Sequence, residues 1–106
     1  MELKKYTVAE LLETHTAVLN ELRDRKILRS ANNPTGDYAE WLFCQAFGWD
    51  QAANSVKGFD ATDAEGIRYQ IKGRRLHQLN TSRQLSAIRD MSGFDVLAGV
   101  LFDAAF

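Results

Sequence analysis

Several common protein classes depend on features that this chain lacks or has little of. Cys44 is its one cysteine, which excludes an internal disulfide and a cysteine-built zinc cluster and suits a reducing, cytoplasmic setting. His15 and His77 are the only histidines, too few to make a metal site without carboxylates. No apolar run approaches the roughly 20 residues that a bilayer span needs. The start, Met1 to Tyr6, has neither an apolar core nor a small-residue cleavage site, so no secretory signal is expected. A Gly-x4-Gly-Lys-Ser/Thr phosphate loop, a Gly-x-Ser-x-Gly elbow and a telling Cys/His pair are all missing.

What is present is 106 residues, 45% hydrophobic and 25% charged, which fits one folded domain and is too apolar for a disordered chain. The net charge of −1 conceals an uneven distribution. Residues 57–89 carry seven Lys or Arg against three acids, a net of +4, while 1–56 sum to −2 and 90–106 to −3. A basic stretch inside a neutral chain is compatible with a phosphate-contacting surface, or with an ordinary solvated face.

Val8, Leu11, Leu12, Val18, Leu19 and Leu22 recur at helical spacing and predict a long amphipathic helix over 7–28. The polar run to Gly36, with the only proline, predicts a loop leading into a second helix over 37–47, capped by Asn33 or Thr35. Its apolar face comprises Ala39, Leu42, Phe43, Ala46 and Phe47, and Gly48 ends it. Trp41 lies opposite that stripe and is expected to pack under the first helix. A short helix over 83–89 is expected after Thr81 or Ser82, with Leu85 and Ile88 inward, and a strand buried on both faces over 94–102. A helix-turn-helix reading of the first two helices would bring Asp37 and Glu40 towards DNA phosphates, and repulsion argues against it.

Between these elements the period changes to two. Phe59 and Ala61, then Ile67, Tyr69 and Ile71, alternate with polar residues around Ala64-Glu65-Gly66, which predicts a β-hairpin. A three-residue loop with Gly66 in the left-handed region sets Asp63 opposite Ile67 and Asp60 opposite Gln70. A two-residue turn would instead turn a carboxylate onto the apolar face. Asp60, Gln70 and Lys72 then share one face, and two oxygen acceptors beside an ammonium suit metal-assisted phosphodiester hydrolysis. Glu40, about 100° from Ala39 around its helix, borders the apolar face as a further ligand or as a rim carboxylate paired with an arginine.

Taken together, Asp60, Gln70-Ile71-Lys72 and Glu40 in this order resemble the PD-(D/E)xK nuclease superfamily, in the Gln-x-Lys variant found in Mrr-like restriction enzymes. The resemblance covers about 35–102 and leaves the first helix outside. It implies an α/β (α+β) fold, a restriction-endonuclease-like αβββαβ core with an additional long N-terminal helix. It also implies Mg²⁺- or Mn²⁺-dependent hydrolysis of DNA, with Asp60 the main metal ligand, Gln70 a second, Lys72 the catalytic lysine and Glu40 the helical acid. Arg74 and Arg75, in a polar, basic connection expected over 73–80 after the hairpin, and Arg83 and Arg89 are the candidates for phosphate contacts. Phe59 stands where the superfamily often has proline, and Gln70 supplies no charge, so metal affinity is expected to be modest. The alternative is a nuclease-fold module that binds nucleic acid or assembles with proteins without turnover. Ending at Phe106, just after the last strand, suggests a domain of a longer protein or a dimer that covers the strand edge.

Overall fold

A computed structural model describes residues 2–30, 33–53, 58–79, 81–88 and 91–106. The chain divides into two compact units, Met1–Ser30 and Ala31–Phe106. In the first, helix α1 spans Val8–Asp24 after a short 3-10 turn at Leu3–Lys5. Thr7 and Glu10 cap each other reciprocally, with Thr7 N–H to Glu10 Oε1 at 2.9 Å and Glu10 N–H to Thr7 Oγ1 at 3.2 Å. The helix stops at Asp24, short of the expected residue 28, because Lys26 turns left-handed at φ 65°. Lys26 N–H then bonds Arg23 O and Ile27 N–H bonds Leu22 O, the double bond pattern that closes a helix end.

The second unit holds α2 (Pro34–Phe47) and one four-stranded mixed sheet in the order β1-β2-β3-β4. Asn33 caps α2 through Thr35 N–H, Pro34 takes the first helical position where no N–H is needed, and Gly48 ends it at φ 69°. Strands β1 (Asp50–Gln51), β2 (Ala61–Thr62) and β3 (Arg68–Arg75) are antiparallel, and β4 (Val96–Phe102) runs parallel to β3. The hairpin has the expected register: Ala61 pairs Tyr69, Thr62 pairs Arg68, and Gly66 sits at φ 82°.

Alternation along β3 assigns its two faces. Ile71 joins Ala39, Cys44, Ala61 and Phe102 in the core, and a Cβ built on Gly73 would lie 2.7 Å from Ala39 Cβ, so α2 crosses the strand there. At the other end Trp49 stacks on Tyr69 at 3.8 Å and on Phe43 at 5.6 Å, joining the end of α2 to the sheet. Trp41 is half-buried and stacks on Tyr38 at 6.1 Å.

Three further expectations need correction, beyond Ala46 and Phe47 of the expected apolar face, which are exposed on α2. Residues 81–88 form no helix: Ser82 Oγ accepts from Gln84 N–H at 3.2 Å, as a cap would, but Gln84 O accepts from Arg74 Nη1 at 3.0 Å. In a helix that carbonyl would bond Ile88, and a segment with two apolar residues gains too little by packing to offset nucleation. Leu85 still reaches the sheet, since a Cβ on Gly99 would lie 2.9 Å from its Cδ1. Secondly, Arg74 and Arg75 belong to β3 and not to the connection after it. Thirdly, β4 is an edge strand and is not buried on both faces: Val96, Leu97 and Leu101 are 42%, 42% and 43% exposed. The backbones of Gly93 and Gly58 meet closely, a Cβ built on Gly93 falling 2.7 Å from Gly58 Cα.

Candidate functional site

The strand residues of the candidate site are Gln70 and Lys72, both half-buried on the face of β3 turned away from α2. Asp60 precedes β2. Its N–H bonds Tyr69 O at 2.8 Å, and its Oδ2 accepts from Ile71 N–H at 2.7 Å. Main chain and carboxylate thus grip the residues either side of Gln70, and the carboxylate supplies the acceptor that a longer β2 would have provided from its backbone. Gln70 Oε1 is buried and has no hydrogen-bond partner. The ion pairs Glu2–Lys5, Glu21–Arg25 and Arg68–Asp95 do not involve Asp60 or Lys72.

Glu40 is half-buried on α2, the helix covering the Ile71 and Gly73 face, so it does not share the row of Gln70 and Lys72. Among the described residues no group of three or more His, Cys, Asp or Glu side chains is placed to hold a metal ion. Asp60 and Gln70 are together one carboxylate and one amide oxygen, enough for part of the shell of a hard cation that keeps several waters.

The basic stretch serves the fold more than its charge count implies. Arg68 forks onto Asp95, with its Nε and Nη2 each 3.2 Å from a carboxylate oxygen and its N–H 2.9 Å from Oδ2. That pairing, with Asp95 N–H returning to Arg68 O at 2.8 Å, ties the start of β4 to the start of β3. Hydrogen bonds from Arg68 hold the Asp95 carboxyl below its ordinary range, and the Arg68 guanidinium is raised in turn. Arg75 Nη1 donates to Ala104 O at 2.7 Å, and Arg83 is exposed. Arg89 lies outside the described residues.

At the hairpin turn, burial acts to raise the Asp63 carboxyl, but bonds from the Tyr69 hydroxyl and from the N–H groups of Ile67, Glu65 and Gly66 outweigh it and hold it low. Sequence reasoning gave these acids no role. The residue spacing Arg68 to Asp95 carries no local signal, whereas Asp63 at the head of a Gly-ended loop is a recognisable turn acid. No helix among the described residues is long and apolar enough to cross a membrane. Compared with protein-family models and with curated proteins, the chain matches neither.

Proposed function

We propose that this chain is a metal-dependent, endonuclease-like domain that hydrolyses DNA phosphodiester bonds. The observation that supports the reading is the Asp60 carboxylate accepting at 2.7 Å from Ile71 N–H, the β3 residue that follows Gln70, whose buried Oε1 lacks a partner among the described residues, and precedes Lys72. A buried acceptor without a partner costs free energy, and a hard cation beside it would relieve that cost. Asp60 and Gln70 would hold Mg²⁺ or Mn²⁺ through oxygen. The bound ion would polarise the phosphate and lower the pKa of a bound water. Lys72 would orient the attacking water or offset charge gathering on the phosphate oxygens. Arg83 would add a salt-sensitive phosphate contact.

One observation favours the second reading, a nuclease-fold module without turnover: among the described residues no group of three or more His, Cys, Asp or Glu is placed to hold a metal ion. A cleavage assay on the purified chain with Mg²⁺, Mn²⁺ or EDTA separates the two, alongside Lys72→Ala and Asp60→Ala. Metal-dependent cutting that falls by at least about 100-fold in either variant, with DNA binding retained, supports the nuclease. Equal cutting in EDTA, or variants as active as the parent, overturns the metal mechanism. A parent that binds DNA and never cuts supports the module.

A further inference from the structure

At the end of β3 remote from the hairpin turn, a cavity of about 330 Å³ opens against the first turn of α2. Thr35, Gly36, Arg74, Arg75 and His77 line it, and no carboxylate is among its described lining residues. We propose that this cavity binds a phosphate group.

The attraction comes from side chains more than from the helix terminus. Pro34 has no N–H, and Thr35 N–H is already taken by Asn33 Oδ1 at 2.9 Å. Arg75 is fixed in place by Ala104 O at 2.7 Å and by the Phe106 ring, whose centroid lies 5.2 Å from its guanidinium carbon. A carbonyl and an aromatic face orient a guanidinium without cancelling its charge as a carboxylate would, and one bond uses one of its five donors. Arg74 alternates to the other face of β3, where its Nη1 donates to Gln84 O at 3.0 Å, so the phosphate site does not depend on its guanidinium. The oriented Arg75 fork and the His77 imidazole suit a tetrahedral oxyanion of high charge better than a single carboxylate.

A Cβ built on Gly36 meets nothing within 4 Å, so the space beside this lining residue is open. The volume exceeds what one phosphate needs and leaves room for whatever the phosphate is attached to. Two sources share this chemistry: the terminal phosphate of a DNA strand and free inorganic phosphate. Arg75 lies about 10 Å along β3 from Lys72 and the site requires no metal, so it does not rest on the hydrolytic reading.

Calorimetric titration in EDTA tests it, using inorganic phosphate and a short single-stranded DNA with and without a 5′-phosphate. The proteins are the parent, Gly36→Ala and Gly36→Glu. An acidic residue in the first turn favours a helix, so Gly36→Glu brings a negative charge to the cavity without weakening α2. The parent is expected to bind inorganic phosphate, or the phosphorylated strand in preference to the unphosphorylated one. Gly36→Ala should stay within about twofold of it, and Gly36→Glu should weaken binding by about tenfold or more. Binding of inorganic phosphate identifies the free ion as sufficient, while binding of the phosphorylated strand alone identifies the DNA end. No binding of either, equal binding of the two strands without inorganic phosphate binding, or undiminished binding by Gly36→Glu overturns the proposal. Because the titration contains no divalent metal, its failure leaves the cleavage assay unaffected, and the reverse holds.

Discussion

On one face of the β3–β4 ladder, Ile71, Gly73, Val100 and Phe102 lie under α2; on the other, Lys72 and Gly99 lie beside residues 81–88, which have no regular structure. The α2 face is close-packed. Ala39 approaches Gly73 so nearly that no side chain fits between them, and both Ala39 and Ala61 are wholly buried. The opposite face is touched by one leucine at Gly99 and keeps Gln70, Lys72 and Arg74 half-buried. A sheet face that no helix among the described residues covers can keep polar side chains half-buried, whereas the face under α2 carries the close apolar packing.

The largest expected effect comes from adding one methyl group to each face. In Gly73→Ala the new Cβ meets the Cβ of Ala39, which is fixed to a helix, at 2.7 Å, and a cost of about 1–3 kcal/mol is expected. In Gly99→Ala the obstacle at 2.9 Å is the tip of Leu85, which can rotate away, and the cost should fall below about 1 kcal/mol. Urea denaturation of both variants measures the difference. Equal costs would mean that residues 81–88 pack as firmly as α2.

A smaller effect separates structure from chemistry at Asp60. Asp60→Ala leaves Ile71 N–H without its acceptor and should cost about 1–2 kcal/mol. Asp60→Asn keeps an acceptor oxygen and should cost less than half as much, while its cleavage falls as far as that of Asp60→Ala. Denaturation and cleavage measured on the same two proteins check this. If Asn and Ala are equally destabilising, the carboxylate charge itself supports the fold.

The smallest effect concerns the strand ends, away from both faces. Asp63 and Asp95 have carboxyls held below the ordinary range, so their contribution to stability is present above the unfolded carboxylate pKa of about 3.9 and is lost as pH falls through their lower folded values. Urea midpoints of the parent should therefore decline on acidification below about pH 4. Asp95→Asn should decline less steeply over that range. A parallel decline would mean that the Arg68–Asp95 pair does not govern acid stability.

Much of the scaffold could be read from local pattern. The Asn33 cap, the stop at Gly48 and the odd hairpin loop ending in Gly66 all follow from interactions within a few residues, and each is present in the structure. The alternation of Tyr69 and Ile71 with Gln70 and Lys72 assigned the core face correctly. The segment over 81–88 was not legible, because its cap signal is real and only the long-range bond from Arg74 to Gln84 O competes with the helix. Glu40 was ambiguous for a related reason: a position on the border of a helix face does not say which side of the sheet the helix will cover.

By itself, the sequence determined the periods, the caps and the hairpin register, since these depend on backbone geometry and on neighbours close along the chain. Only the tertiary structure decided what the basic stretch does. Arg68 meets Asp95, 27 residues away, and Arg75 meets Ala104, 29 residues away, and no local rule distinguishes such arginines from ones left in solvent. It also decided that Asp60 completes the ladder with its side chain, because the end of β2 leaves the Ile71 N–H to whichever acceptor the fold brings within reach.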